Sequence, residues 1–359
     1  MNILVFGAGA IGCFIGGRLA ADGRRVTLLG RPALMAKIAA DGLRLDRPGH
    51  SSQTVRPETA VDLAGPSPPF DFILLTVKTY DVARAIDGLR ARPALLEGAH
   101  LVSLQNGLGS EEQLAAAFGP EKIIAGTLTL PIRIPGPGAV EVSKPKGGIG
   151  LAPLDPGQPV GRLAGALDRA GLAAAVYDDY RALKWSKLLL NMVNNAACAI
   201  LNRPPAQIVA DPRLFNLEIE ALREAVAVMR AGGVRAVRLP GYPVDWLVRL
   251  LAARWLPLAV TRAVLRPFLL GGRGGKMPSL QIDLAAGRPA SEVDALNGAV
   301  VRAGQDLGIA TPANRALRDT LQGLVSGRLD WDAWQRHPHR LLEAVAANRP
   351  TGDETPGDN

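Results

Sequence analysis

A lysine and two asparagines stand at four-residue spacing near the middle of the chain: Lys187, Asn191 and Asn195. Side chains four residues apart share one face of a helix, so this spacing predicts a wall of one ammonium and two amides. Such a wall can hold a small anionic molecule with a carbonyl group and protonate its oxygen. The alternative is a solvated helix lysine, but the flanking Leu188–Leu190 run indicates a largely buried helix. Lys184, one turn earlier, is the competing proton donor.

Lys187 must carry a proton at neutral pH to act as a general acid. The reference pKa of lysine, about 10.4, ensures this, and partial burial would bring that pKa closer to neutrality. A carboxylate such as Glu292 would orient the ammonium. Lys276 and Ser279 lie in a polar segment between apolar helices, and they are candidates for binding a carboxylate of the ligand.

A glycine-rich turn follows the first apolar strand, which is predicted at Asn2–Phe6. The turn has the spacing G-x-G-x-x-G and opens a helix, which is the strand-turn-helix context of a dinucleotide site. The first glycine permits the turn, the second lets the backbone approach a pyrophosphate, and the third lets the helix pack on the strand. The residues predicted to contact the dinucleotide are Gly7, Ala8, Gly9, Ala10, Ile11 and Gly12.

The residues after the second predicted strand, Arg25–Leu29, discriminate between NAD and NADP. An acidic residue there would bind the ribose 2′-hydroxyl, but this chain continues with Gly30 and Arg31. The guanidinium fork suits a 2′-phosphate, so we expect NADP(H); a solvated surface arginine is the alternative. Lys37 would add positive charge if its helix turns inward.

Lys78 and Asn106 each come just past the carboxyl end of a predicted strand, Phe70–Val77 and Ala99–Leu104 respectively. Ligands of open α/β sheets bind at this edge. A lysine there can meet the charge of a cofactor or substrate, and an amide can orient a nicotinamide or a ketone. The alternative for each is an ordinary loop residue. Gln105 is a weaker candidate because strand alternation points its side chain elsewhere.

The elements that must position these residues fall into two groups. Strands and helices alternate over the first half of the chain, which predicts an α/β fold with an N-terminal Rossmann-type, doubly wound parallel sheet. From Arg181 onward the pattern is typical of helices, which predicts an all-helical C-terminal domain. We place the dinucleotide-binding domain at residues 1–178, a helical substrate and catalytic domain at 179–330, and a peripheral helix with a disordered tail at 331–359.

Composition argues against several classes of protein. The 359 residues suffice for two domains, and Lys+Arg 41 against Asp+Glu 33 gives a net charge of +8 that would attract anions. Without a basic run, nucleic acid is disfavoured as a partner. The chain has only 2 cysteines, which argues against a disulfide framework. Its 4 histidines do not have the spacing of metal ligands, which argues against a metal site. The low cysteine count fits a cytoplasmic location.

Neither a signal peptide nor a membrane anchor is expected. The apolar start, Met1–Gly17, lacks a basic n-region and carries the glycine motif instead. The most membrane-like stretch, Trp246–Leu270, is interrupted by arginines and prolines and is too broken for a span of about 20 apolar residues. We expect it to form a buried or amphipathic helical insertion.

Taken together, these motifs resemble the ketopantoate reductase family (2-dehydropantoate 2-reductase). The matching segments run in the family's order over most of the chain, and they are specific as a set. They are Gly7–Gly12, Arg31, Val77-Lys78, Gln105–Gly109 followed by Glu111-Glu112, Lys184–Lys187 with Asn191 and Asn195, Pro278–Gln281, Gly287–Pro289 and Glu292–Gly298.

The resemblance implies an NADPH-dependent reductase of a 2-oxo acid, with ketopantoate reduced to pantoate in pantothenate biosynthesis. It also implies a Rossmann domain followed by a helical domain. The roles implied for single residues are the general acid for Lys187, substrate binding for Asn106, Asn191, Asn195 and Ser279, and cofactor contacts for Lys78, Asn106 and Glu292, the last of which also helps to position the lysine.

Three departures from the family pattern limit the resemblance, and two of them, Lys276 and the Arg-rich insertion, keep other substrates open. The region 233–275 is longer than expected and rich in Trp, Leu and Arg, and the stretch from Asp283 to Glu292 is one residue longer than the common form. Lys276 stands where some members have a neutral polar residue, which favours a second anionic group on the substrate. The alternatives are a related dehydrogenase of another 2-oxo acid, a glycerol phosphate or an opine-type imine, and a non-catalytic NADP-binding sensor. No membrane partner is expected, and a homodimer is a possible assembly.

Overall fold

The computed structural model describes residues 1–271 and 277–349. The chain forms two compact units. The first contains Met1–Lys187 and Val237–Pro243, and the second contains Leu188–Ala236 and the residues from Val244 onward. The domain limits expected from the sequence, at residues 178 and 330, stay a prediction.

The first unit alternates strands and helices. Its strands are β1 (Asn2–Phe6), β2 (Arg25–Leu29), β3 (Leu43–Asp46), β4 (Gln53–Val55), β5 (Glu58–Ala60), β6 (Phe72–Leu75), β7 (His100–Ser103), β8 (Ile123–Leu128), β9 (Ile132–Gly136), β10 (Ala139–Val142), β11 (Ile149–Pro153) and β12 (Ala174–Val176). Its helices are α1 (Ala10–Ala21), α2 (Pro32–Asp41), α3 (Val82–Arg90), α4 (Ser110–Phe118), α5 (Val160–Arg169) and the first part of α6 (Tyr180–Met192). Short 3-10 turns occupy Thr79–Asp81, Pro93–Leu96 and Pro120–Lys122.

Eight strands form one sheet in the order β12-β11-β8-β7-β6-β1-β2-β5. β1 pairs in parallel with β2 and β6. Its side chains alternate between the faces: Ile3 and Val5 pack in the core that contains α1 and α5, and Leu4 packs in the core that contains α3. Helices therefore cover both faces, which is the doubly wound arrangement.

Two features of the first unit differ from a simple parallel sheet. β11 runs antiparallel to β8, so the large sheet is mixed rather than wholly parallel. A second sheet of four strands, in the order β4-β3-β10-β9, contributes Leu43 and Leu45 to the core around α1. Its strands are only 3 to 5 residues long, so they carry too few alternating residues for periodicity to predict the sheet.

The strands that lead to the candidate residues end earlier than their apolar runs indicate. β6 ends at Leu75 and β7 ends at Ser103. After Leu75, Thr76 donates its backbone N–H to the Phe6 carbonyl at 3.0 Å and its hydroxyl to the Gly7 carbonyl at 2.7 Å. These bonds hold the residues after β6 against the glycine turn.

The second unit is helical. Its helices are the end of α6, α7 (Ala196–Leu201), α8 (Pro205–Ala210), α9 (Pro212–Ala231), α10 (Val244–Ala252), α11 (Leu258–Gly271), α12 (Ser279–Ala285), α13 (Asn297–Asp306), α14 (Pro312–Val325), α15 (Trp331–Trp334) and α16 (Pro338–Ala347). A 3-10 turn covers Glu292–Asp294. An N-terminal α/β part followed by a helical C-terminal part confirms the predicted fold class.

Helix α6 ends sooner than the spacing of Lys187, Asn191 and Asn195 requires. Its last residue is Met192, and Asn194 has a left-handed backbone with φ of 48°. Asparagine tolerates this conformation better than most residues. Asn195 stands in the turn before α7, so the prediction of three side chains along one helix face is wrong for its third member.

The apolar segment interrupted by arginines forms α10 and α11. Both are amphipathic: Leu247 and Leu251 are buried on α10, and on α11 Leu265 is buried while Val260 and Val264 are exposed. Within the part of the chain that the structure describes, no helix has both the length and the apolar character needed to cross a membrane.

The chain continues past α14 with α15 and α16. α16 packs on α14 and buries Leu341 and Val345, which links it to the helical unit. The predicted disordered tail includes residues 350–359, which lie outside the described residues.

Candidate active site

The glycine turn between β1 and α1 packs against the end of β6. Gly7 has a φ of 114°, and a Cβ atom there would lie 2.7 Å from the Val77 backbone nitrogen. A Cβ atom at Gly12 would overlap the Gly7 carbonyl oxygen and would lie 2.6 Å from Thr76 Oγ1. Neither position accepts a larger residue, which explains the first and third glycines of the motif.

Gly9 differs from these two because space is open beside it. A Cβ atom at Gly9 meets no described atom within 4 Å, and the residue is exposed. α1 begins at Ala10, and the N–H groups of its first turn have no acceptor within the helix. Open space at a helix N-terminus, with its partial positive charge, fits a pyrophosphate. The individual contacts of Ala8, Ala10 and Ile11 stay a prediction.

The residue after the third glycine is a core residue. Cys13 is buried in α1, and burial raises the pKa of its thiol to about 12. The thiol is therefore neutral near pH 7, and this removes it from consideration as a nucleophile beside the turn.

Arg31 lies between β2 and α2 with its side chain exposed. Its carbonyl accepts the Met35 N–H at 3.0 Å, and Pro32 occupies the first helical position. The guanidinium thus stands at the carboxyl end of β2, and its contact with a 2′-phosphate stays a prediction. Lys37 pairs with Asp41 at 2.9 Å on the exposed side of α2, so its charge is compensated there.

Lys78 and Asn106 lie past the carboxyl ends of β6 and β7, which are neighbouring parallel strands. Both side chains are half-buried. A hydrogen bond joins their loops, because the Thr79 hydroxyl donates to the Asn106 carbonyl at 3.0 Å. The structure therefore brings these two candidates to the same edge of the sheet, where the glycine turn also lies.

Next to this edge is a group of buried polar residues, Ser103, Gln105, Glu111 and Lys184, which we call the ion-pair cluster. Lys184 Nζ lies 2.7 Å from Glu111 Oε1 and donates to the Gln105 carbonyl at 2.6 Å. The side chains of Lys184 and Glu111 are 3% and 1% exposed. Ser103 Oγ lies 2.5 Å from Glu111 Oε1 and 2.8 Å from Gln105 Oε1.

The cluster separates the roles of two lysines of α6. Lys184 is held by Glu111 and by the Gln105 carbonyl, so its ammonium is committed to the interior of the first unit. Lys187 stands one turn further along α6 and is half-buried, as is Asn191 after another turn. The competing proton donor is therefore disfavoured, and the general-acid role of Lys187 stays a prediction.

Asn195 makes two hydrogen bonds within the second unit. Its Nδ2 donates to the Asn191 carbonyl at 3.0 Å, and its Oδ1 accepts the Leu280 N–H at 3.3 Å. The second bond satisfies a backbone donor in the first turn of α12. Ser279 begins that helix and is exposed. The structure thus brings Asn195 and the start of α12 together, while Lys276 lies outside the described residues.

Glu292 starts the 3-10 turn Glu292–Asp294 and is 5% exposed. Ser291 caps this turn by accepting the Val293 N–H at 3.2 Å, and the Glu292 carbonyl accepts the Leu296 N–H at 3.1 Å. The turn therefore fixes the backbone of a buried carboxylate. Its predicted roles, orienting Lys187 and contacting the cofactor ribose, stay predictions.

Two family models account for most of the chain. The model described as "Ketopantoate reductase PanE/ApbA" matches residues 3–156, and "Ketopantoate reductase PanE/ApbA C terminal" matches residues 179–325. The chain belongs to the ketopantoate reductase family. This membership confirms the predicted family and the predicted enzyme class, an oxidoreductase acting on CH–OH groups.

Relatives match this member of the ketopantoate reductase family over nearly their whole length. The 2-dehydropantoate 2-reductase of Halobacterium salinarum is 30% identical over 326 residues, which cover 90% of this chain and 98% of the relative. The solved 2-dehydropantoate 2-reductase of Geobacter metallireducens is 30% identical with a TM-score of 0.73, covering 90% of this chain and 99% of that one. A ternary structure of D-mandelate dehydrogenase with NADH and anilino(oxo)acetate has a TM-score of 0.75 at 22% identity, covering 91% and 99%, and shows a likeness in fold.

For this ketopantoate reductase family member, the glycine turn and the comparisons together support a nicotinamide cofactor. The family also implies a small-molecule keto-acid substrate.

Two features of the site do not follow from the residue patterns: the pairing of Lys184 with Glu111 and the burial of Asn194. The Asn194 side chain is 0% exposed, and neither of its polar atoms has a hydrogen-bond partner among the described residues. Its backbone N–H donates to Glu218 Oε2 at 2.7 Å. A signal existed in each case, since an amide or a lysine inside an apolar helical run must find a partner or bear a cost. The residue pattern does not show which residue the hydrogen-bond partner is.

Proposed function

We propose that this chain catalyses the NADPH-dependent reduction of a 2-oxo acid to a 2-hydroxy acid. The leading substrate is 2-dehydropantoate (ketopantoate), which would yield pantoate in pantothenate biosynthesis. Relatives named 2-dehydropantoate 2-reductase support this substrate. The observation that carries the chemistry is the burial of Lys184 in an ion pair with Glu111, because it leaves the proton-donor role to Lys187.

Lys187 acts as the general acid in this scheme. A bound reduced nicotinamide would supply the hydride for the carbonyl carbon. The Lys187 ammonium donates a proton to the carbonyl oxygen, so the ketone becomes an alcohol and the lysine becomes neutral until water reprotonates it. Holding the ketone in reach of both groups contributes much of the remaining rate.

Amide and hydroxyl groups bind the substrate in the same scheme. The residues assigned to this task are Asn106, Asn191, Asn195 and Ser279, and Lys276 is assigned to a second anionic group if the substrate carries one. The contacts of Asn195 with the Asn191 carbonyl and the Leu280 N–H support a preorganised arrangement of that turn. Preorganisation lowers the entropy that substrate binding would otherwise cost.

We assign NADPH rather than NADH because of Arg31. Its exposed guanidinium at the carboxyl end of β2 suits a 2′-phosphate, and the residues that end this strand include no carboxylate. Lys78 and Asn106 are assigned to the cofactor side on the strength of their sheet edge. Glu292 is assigned to the ribose and to positioning Lys187. A cytoplasmic location and a homodimer complete the proposal, and sedimentation of the purified chain tests the dimer.

A substrate panel tests the proposal. Initial rates followed at 340 nm would compare ketopantoate with other branched 2-oxo acids, a glycerol phosphate precursor and an imine, each with NADPH and with NADH. The expected result is the highest kcat/KM for ketopantoate with NADPH. Preference for another substrate would reassign the keto acid. Tight NADPH binding without turnover of any compound would contradict the proposal and would favour a sensor. Faster turnover with NADH would overturn the assignment of Arg31.

A further inference from the structure

We propose that Lys184 and Glu111 are positioning residues for the reductase reaction: their buried ion pair holds the Asn106 loop against the part of α6 that carries Lys187. The proposal rests on the proposed function, since it names what fixes the proposed general acid. Neither Lys184 nor Glu111 is assigned a contact with substrate or cofactor, so they act through other residues.

The ion-pair cluster joins four stretches of backbone. Glu111 belongs to the first turn of α4, and Lys184 belongs to α6. Ser103 ends β7, and its hydroxyl lies 2.5 Å from Glu111 Oε1. Gln105 donates from Nε2 to the Leu75 carbonyl at 3.0 Å, at the end of β6. The cluster therefore ties two strand ends to two helices.

Three candidates of the first unit follow closely after points that the cluster holds: Lys78, Asn106 and Lys187. The Gln105 side chain also donates to the Val77 carbonyl at 3.3 Å, directly before Lys78. Lys184 holds the Gln105 carbonyl at 2.6 Å, directly before Asn106. Lys187 follows Lys184 by one helical turn. Loss of the ion pair would therefore release the loops that carry Lys78 and Asn106 from α6, which carries Lys187.

Stability alone does not account for charges at this place. Removing an ammonium and a carboxylate from water costs about as much free energy as their attraction returns, and well-packed apolar residues are often as stabilising. What an ion pair adds is direction, because hydrogen bonds of 2.6 and 2.7 Å define the position of Lys184 Nζ against two different segments. Apolar side chains of similar volume would fill the same space but would define this position less uniquely.

The decisive variant replaces both charges at once. A single Lys184→Met change would leave Glu111 buried and unpaired and could prevent folding, whereas Lys184→Met with Glu111→Gln leaves two neutral side chains of similar size. We expect the double variant to fold and to bind NADPH within about threefold of the parent, while kcat falls by roughly 10- to 100-fold with little change in KM, the scale of a misplaced reacting group.

Two companion variants separate positioning from general damage. Lys184→Arg, made in the parent with Glu111 intact, keeps the positive charge and several hydrogen-bond donors. We expect its kcat to stay much closer to the parental value than the kcat of the double variant does. Arg133→Met with Glu141→Gln removes an ion pair of 2.7 Å between β9 and β10 in the same unit, and it should leave kcat unchanged. A loss of kcat in this control as large as in the Lys184–Glu111 double variant would contradict the proposal.

Hydrogen exchange measures the positioning without turnover. Amide exchange in segments 76–81 and 103–109 should become faster in the double variant, while exchange in β1 and β2 stays as in the parent. If the parent reduces no 2-oxo acid, the proposed function fails, and these exchange rates still decide whether the pair fixes the loops. A folded double variant with parental exchange in both segments and kcat within about twofold would overturn the inference.

Discussion

Glu111 in the first unit is buried and Glu224 in the second is half-buried, and different groups satisfy the two carboxylates. Glu111 is paired with the Lys184 ammonium at 2.7 Å. Glu224 accepts hydrogen bonds of 2.8 and 3.0 Å from the Ala313 and Asn314 N–H groups at the start of α14, and one of 2.7 Å from Asn314 Nδ2. One carboxylate meets a full charge and the other meets dipoles.

The hydrogen bonds to Glu224 do not fully offset the cost of removing its charge from water. Burial, with Glu220 adding repulsion, raises the pKa of Glu224 to about 7, although all three hydrogen bonds act to lower it. Glu224 therefore titrates near neutral pH, so its charge depends on the pH. An ion pair keeps a fixed geometry because both partners carry charge. The first unit thus has an ion pair beside the loop of the proposed site residue Asn106, whereas the second has a titratable carboxylate at the start of α14.

The largest expected effect tests whether the chemistry belongs beside the ion pair. Lys187→Ala should lower kcat by about 10²- to 10⁴-fold, the usual contribution of a positioned acid, with NADPH affinity nearly unchanged. Steady-state kinetics and fluorescence titration of NADPH measure the two quantities. Lys37→Ala, which removes a surface lysine of the same unit, is the control. Turnover within about threefold of the parent, under 1 kcal/mol of barrier, would show that Lys187 is not the acid.

The second effect tests the compensation of charge by charge. Lys184→Met leaves Glu111 buried without its cation, and this should lower the free energy of unfolding by about 3–5 kcal/mol. Urea denaturation followed by circular dichroism measures the loss. Adding Glu111→Gln should recover most of it, since both charges are then gone. Equal losses in the single and double variants would mean that packing, rather than charge, is what the pair contributes.

The third effect tests the compensation of charge by dipoles. The folded protein holds the Glu224 proton more tightly than the unfolded chain does, because the pKa rises from 4.5 to about 7 on folding. This group therefore stabilises the fold below pH 4.5, and that contribution is lost as the pH rises to about 7. The contribution is at most about 3 kcal/mol.

Unfolding free energies of the parent and of Glu224→Gln, measured between pH 4.5 and 7.5, check this sign. The variant should lose less stability over the range than the parent does, whatever its stability at the starting pH. If the free energy of unfolding of the variant declined with pH as much as that of the parent, groups other than Glu224 would cause the pH dependence.

The smallest expected effect compares two arginines, one at the start of β2 and one just after its end. Arg25 is paired with Glu58 at 2.8 Å at the start of the strand, whereas Arg31 is exposed at its end. Arg31→Ala should lower kcat/KM for NADPH about tenfold, near 1.4 kcal/mol, and leave NADH unaffected. Arg25→Ala is the matched control and should change neither. Equal losses with both dinucleotides would remove Arg31 from the 2′-phosphate.

Much of the fold and part of the site follow from local patterns. β1, β2 and the glycine turn are predicted well because apolar strands and glycine spacing are properties of neighbouring residues. The small sheet escapes prediction because its strands are short and depend on partners far along the chain. The end of α6 is misplaced because the spacing of Lys187, Asn191 and Asn195 does not register the left-handed Asn194.

By itself, the sequence determined the dinucleotide turn, the helical second half, the lysines of α6 and membership of the ketopantoate reductase family. Each of these features depends on residue types at short spacing, because the local backbone conformation follows mainly from neighbouring residues. Only the tertiary structure showed that Lys184 pairs with Glu111 in the interior, because folding brings these distant segments together. Burial and partner choice are long-range properties, and they turned two similar lysines on one helix into a positioning group and a proposed acid.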